Sequence, residues 1–380
     1  MAFSKRIQEA WGNRWYALPF LALIGLLSCT GEKSTDVLPT VDLTDVTNRT
    51  EIKLSDVTSD VTYVKLETND SCLIGNNFQL YADDQYIFSF SNGQIYLFDR
   101  KDGHFVRAIS KRGEGPGEYS RITRQLPVNE RERSVSAYTG KGLITYSYEG
   151  EMINQVNRPE NAACFDLVRV APDLYAGYQF NMPDKLILFD KNGNEVKRVA
   201  NPKVAETNAF LVPNCGFFEY DNQVNLFESL GDTIYSISPA GDLSSRYRLD
   251  WGSHQIVIEN MSDQVAAKEY CYPQMIGETG DFLFISYIYQ TKPALSLYNK
   301  RTKQVTHAAE GGTLTNDVDG FAPTTLSSVS NGRLVGYVNA ETFLEWSESE
   351  SGDWASNPKL APLKSTGEMD NPIVVIGQLH

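Results

Sequence analysis

Basic charge is scarce in this chain. Its 34 lysines and arginines face 48 aspartates and glutamates, a net charge of −14. No stretch gathers the basic residues into a footprint for a phosphate backbone, which excludes nucleic acid as a partner. Histidine is scarcer still. His104, His254, His307 and His380 fall at no metal-ligand spacing, which argues against metal catalysis on imidazole. There is no Gly-x-Ser-x-Gly elbow, and no nucleophile with a base nearby in sequence. Helical periodicity is almost missing, which removes bundles and doubly wound α/β folds. Long apolar runs are missing too: the run from Trp15 to Leu27 has thirteen residues, against about 20 for a membrane-spanning helix.

That short run does carry information. Lys5, Arg6 and Arg14 precede it, giving the charged start and apolar middle of a signal peptide. It closes in Leu26-Leu27-Ser28-Cys29, which resembles the lipobox of bacterial lipoproteins. The resemblance implies lipidation at Cys29, removal of residues 1–28, and attachment to the outer membrane by acyl chains, several of which hold far more firmly than one. Removing three basic and one acidic residue with the signal takes the net charge to −16. From Thr30 to about Asp60 the chain is rich in Thr, Asp, Val and Ser without a sustained period, which reads as a tether over residues 29–60, with the globular part over residues 61–380. Cys72, Cys164, Cys215 and Cys271 are even in number and allow three pairings in an oxidising compartment. A core of this size needs no such crosslink, so buried thiols are the expectation.

The globular part repeats. Six alternating segments begin at Asp84, Arg133, Asp173, Asn222, Asp281 and Asn331, and five are followed by a hairpin. Four of those hairpins turn at Gly103, Gly150, Gly193 and Gly241, spaced 47, 43 and 48 residues apart. The spacing matches the roughly 40 to 50 residues of a four-stranded propeller blade. Turns such as Asp99-Arg-Lys-Asp-Gly103 suit a left-handed residue, which glycine supplies without steric cost. The fold class is all-β, a six-bladed β-propeller. A ring must close to leave no open edge, and Val61–Leu66 and Pro372–Ile376 are the two segments left to share one blade, the N-terminal strand outermost. A pair of β-sandwiches is the competing architecture, but sandwiches lack this Asp, aromatic and Gly repetition. Residues 257–270 read as a helical excursion. A second excursion holds Trp346 and Trp354, aromatics expected to pack onto the propeller.

Two further segments make a resemblance specific. The loop Lys111-Arg-Gly-Glu-Gly-Pro-Gly-Glu-Tyr119 and the close Met369-Asp-Asn-Pro-Ile-Val-Val-Ile376, with Val64-Lys-Leu-Glu67, resemble the six-bladed propeller lipoproteins of Gram-negative bacteria, NHL-repeat-like in shape and largely without assigned function. The resemblance implies architecture and an envelope location, and brings no catalytic residues with it. Gly113, Gly115 and Gly117 do not form a phosphate loop, because Pro116 interrupts them and β-pattern rather than a helix follows. Lys111, Arg112, Glu114, Glu118, Tyr119 and Arg121 are the candidate ligand contacts, near the channel or one rim. The expected role is a non-catalytic, lipid-anchored module binding a glycan, a peptide or an envelope protein, with no cofactor. The alternative is a lyase or lactonase acting on a sugar or peptide, with calcium held by carboxylates at the channel mouth.

Overall fold

Period-two alternation becomes strand almost everywhere. The computed structural model describes residues 38–380, apart from 92, 110–111, 114, 116, 120–127, 203, 205–215, 229, 257–265, 310 and 350–353. Cys29, where lipidation is expected, lies outside the described residues, as do Lys111, Glu114, Arg121 and Cys215. Six small sheets form a ring, a six-bladed β-propeller.

Each blade is built on four antiparallel strands, blade 6 carrying a further two-residue strand, Thr313–Leu314, beside its first, and the first strand of each blade was not expected. In blade 1 it is Phe78–Ala82, in blade 2 Val128–Asn129, in blade 3 Asp166–Ala171, in blade 4 Gly216–Tyr220, in blade 5 Tyr272–Glu278 and in blade 6 Thr324–Ser330. The segments that opened each sequence repeat are therefore second strands: Tyr86–Ser91, Ser134–Tyr138, Leu174–Tyr178, Gln223–Phe227, Phe282–Tyr289 and Arg333–Val338. The ring closes as anticipated. Ile373–Leu379 pairs antiparallel with Thr58–Lys65, Val375 opposite Tyr63, and the N-terminal strand lies outermost in blade 6.

The core is divided into six apolar clusters, each shared by two consecutive blades. Phe88 and Leu97 of blade 1 meet Val135 and Tyr146 of blade 2. At the closure, Val64 and Ile376 meet Ile87 and Phe98. Burial is thus between sheets stacked face to face, and no blade has a core of its own.

Residues 38–57, read from composition as the end of a tether, belong to the propeller. Thr40–Asp42 adds a parallel strand outside blade 4, and Arg49–Thr50 does the same on blade 5. Val41, Leu43, Val46 and Leu54 are completely buried. These apolar residues are too sparse among Thr and Asp to read as strands.

The helix Ala340–Ser349 is inserted between the second and third strands of blade 6. Its Phe343 is buried, with the Trp354 ring 5.5 Å away, and Trp346 lies 5.0 Å from Phe321. Those tryptophans pack onto the propeller. Of the excursion expected over 257–270, Ala266–Glu269 is a 3-10 turn and residues 257–265 lie outside the described residues. Cys72, Cys164 and Cys271 are free. Among the described residues no helix is long and apolar enough to cross a membrane.

Candidate functional site

The first strands of the six blades surround the axis. Gln79, Val128, Asp166, Glu219, Met275 and Ser328, one from each blade, line an axial cavity of about 120 Å³. It is narrower than the spaces beside it.

Space opens sideways from it. Val128, Val168 and Glu219 also border a cleft of about 250 Å³ between blades 2 and 3. Glu132, Ser134, Thr145, Arg169 and Pro172 continue that cleft into an outer section of about 470 Å³. Together they make a groove running from the axis to the rim, on the scale of ordinary ligand sites.

The groove follows from side-chain size. Toward its neighbour, blade 1 presents Phe88, Ile95 and Leu97. Toward blade 3, blade 2 presents Tyr138 and Leu143 at one end of its strands but Ser134, Ser136 and Thr145 at the other. Small polar residues cannot fill the space between two sheets, so the interface parts there. Ser136 Oγ and Thr145 Oγ1 are 2.8 Å apart on adjacent strands. Because the floor is a sheet face, it offers side-chain hydroxyls, while the backbone groups of Gly142–Ser147 are spent in the ladders on either side. Arg169 reaches across to Glu132 at 3.1 Å, and Lys191 at the outer end pairs with Asp173 at 3.1 Å.

Glu219 differs from every other acid around the axis. No hydrogen-bond donor or cation among the described residues reaches it. Glu219 is exposed to channel water, and the strands crowding around it desolvate the carboxylate only in part, which moves its pKa upward from the usual glutamate value. Glu278, at the end of the next inner strand, is buried but fully answered: Arg246 donates to both its oxygens at 2.7 and 3.1 Å, Lys300 at 2.6 Å and Tyr247 at 3.0 Å. Glu130 is likewise tied, accepting from Tyr81 at 2.7 Å, Asn331 at 2.8 Å and Arg333 at 2.8 Å, so that blades 1, 2 and 6 are clasped together. Among the described residues, no three His, Cys, Asp or Glu side chains come together as a group that could hold a metal ion.

The loop singled out in the sequence joins the last strand of blade 1 to the first of blade 2. Its carboxylate is turned inward: Glu118 Oε2 accepts from the Gly115 amide at 2.9 Å, and the Glu118 amide donates to Gly115 O at 3.0 Å. Tyr119 is 3% exposed, in the cluster between blades 1 and 2. Arg112, exposed, pairs its backbone with Tyr119. The structure does not bring these three to the groove. Ser134, Ser136, Thr145, Arg169 and Glu219 went unnoticed. The alternation in Ser134-Val-Ser-Ala-Tyr138 was the available signal, but it does not say that the serine side meets a neighbouring blade.

A family model described as "Domain of unknown function (DUF4934)" matches residues 38–378. No curated protein matches the chain. Among solved structures, a protein of Bacteroides fragilis NCTC 9343 described as exported is 15% identical, with the match covering 90% of this chain and 99% of that one at a TM-score of 0.65. A member of the DUF4221 family from Bacteroides vulgatus is 11% identical, covering 84% and 96%, at 0.52. A virginiamycin B lyase from Staphylococcus aureus is 10% identical, covering 73% and 81%, at 0.41, a likeness too slight to bear on chemistry. At these identities what is shared is the fold.

Proposed function

The chain belongs to the DUF4934 family over nearly all of its described length, and from that premise we propose that it is a lipid-anchored binding module of the bacterial cell envelope that holds a saccharide in the groove between blades 2 and 3. The lipobox-like Leu26-Leu27-Ser28-Cys29 supports the anchor, and a protein of the same fold described as exported agrees with the location. The observation that carries the binding reading is the hydroxyl-lined gap itself; blade 1, by contrast, presents Phe88, Ile95 and Leu97 to its neighbour. The part-exposed hydroxyls of Ser136 and Thr145 can exchange hydrogen bonds with a polyol, whereas an extended peptide needs a free backbone edge. Exposed Ile153 and Pro172 offer apolar surface for the carbon face of a sugar ring.

The test is a saccharide panel read by calorimetry on the intact chain in detergent. Ser136→Trp, which fills the groove, is expected to weaken binding by about tenfold or more with an unchanged circular dichroism spectrum. A panel without a single hit, or equal affinity in the variant, sinks the reading. Cys29→Ser is expected to move the chain from the membrane fraction to the soluble fraction, and continued membrane association sinks the anchor.

A further inference from the structure

Resting on the saccharide reading of the groove, we infer that its ligand carries a free amino group, and that Glu219 is the residue that recognises it. The ion pairs along the groove cancel their own charges in place. Glu132 faces Arg169 and Lys191 faces Asp173, each pair at 3.1 Å. At the axial end, Asp166 is occupied by the amides of Leu167 and Phe217, at 2.8 and 3.3 Å. The axial end therefore carries two carboxylates, and Glu219, which borders both spaces, is the one whose oxygens no donor among the described residues occupies.

Size then decides what reaches it. A ring lying in the groove turns its substituents toward the narrower axial cavity of about 120 Å³, where one the size of an ammonium group fits readily. The carboxylate is already partly desolvated by the strands around it, so an incoming ammonium supplies an attraction that water gives incompletely. An N-acetyl group at the same position brings no charge and only one neutral N–H donor, so it answers the carboxylate less well than an ammonium does. The ligand class is therefore a hexosamine-containing oligosaccharide with an unsubstituted amine, distinguished from its N-acetylated counterpart and from neutral glucans.

Calorimetry on the intact chain with three tetrasaccharides tests this: a glucosamine tetramer, the N-acetylglucosamine tetramer, and cellotetraose. The expected result is at least about a tenfold preference for the glucosamine tetramer over the other two. That preference should shrink toward about twofold in Glu219→Gln, and it should also shrink in the unmodified chain as salt is raised, because the discrimination is electrostatic. The salt arm needs no variant and stands if Glu219→Gln fails to fold. Equal affinity for all three ligands, or a preference that survives both the substitution and high salt, overturns the amine assignment and leaves the groove reading standing. Binding of none of the three, when other saccharides in the panel bind, also overturns the assignment alone. Failure of the entire panel removes the groove reading and this inference with it.

Discussion

Two glutamates on neighbouring inner strands show how little a residue's own sequence context says about its work. Glu219 stands in Gly-Phe-Phe-Glu-Tyr220 and Glu278 in Met-Ile-Gly-Glu278, each near the end of its strand. One is unanswered and the other receives four donated bonds. The difference comes from Arg246, Tyr247 and Lys300, which folding brings from elsewhere in the chain. Glu219 has a measurable consequence. Its pKa is raised by desolvation above the ordinary 4.5, so the folded chain holds this proton more tightly than the unfolded one. A carboxyl shifted upward makes stability fall as pH rises from the unfolded value through the folded one. Glu219→Gln removes that loss. The variant should melt above the unmodified chain at neutral pH, with the gap closing near pH 4.5, in thermal melts across that range. Its carboxylate is open to channel water, so the gap is small in size but definite in sign.

At the scale of elements, the turn between the third and fourth strands explains why glycine recurs. Gly103 has φ of 74°, and a Cβ there would lie 2.0 Å from the carbonyl oxygen of Lys65 in the closing strand. Left-handed backbone and close approach to the preceding blade both require the missing side chain. The fifth hairpin, which lacks the glycine, keeps the same geometry: Lys303 takes φ of 63°. Turn conformation is therefore retained where the residue suited to it is not. Lys303→Gly should raise the unfolding midpoint, relieving up to about 1 kcal/mol of strain. Gly103→Ala should lower stability by about 2 to 4 kcal/mol, since the blocking atom is backbone and cannot step aside. Thermal and chemical denaturation of both variants decides the matter, and a neutral Gly103→Ala would refute the close approach. The inner strands were the elements least legible in the sequence. One side of each looks onto the channel, so polar residues such as Gln79, Glu219 and Ser328 interrupt the apolar alternation by which the second and third strands were recognised.

At the scale of the molecule, stability rests on a ring whose closure depends on eight residues near its start. Thr58–Lys65 covers what would otherwise be the exposed edge of Ile373–Leu379. A chain beginning at residue 67 should lose cooperative melting and aggregate in size-exclusion chromatography. A chain beginning at residue 58 keeps the closure but gives up buried Val41, Leu43, Val46 and Leu54. It should stay monomeric and melt lower than one beginning at residue 38. Equal midpoints for those two would show that the outer strands on blades 4 and 5 contribute nothing.

The amino-acid sequence by itself determined the number of blades and the way the ring closes. Both are written in local pattern: period-two strands, turn residues at regular intervals, and one leftover strand at each end of the repeats. The site was decided only by tertiary structure. The groove needs the serine side of blade 2 to face blade 3, and its axial end needs Glu219 from blade 4 beside Val128 from blade 2. No rule of short-range periodicity specifies which faces of separate sheets will meet, because that is set by the stacking of whole blades around an axis.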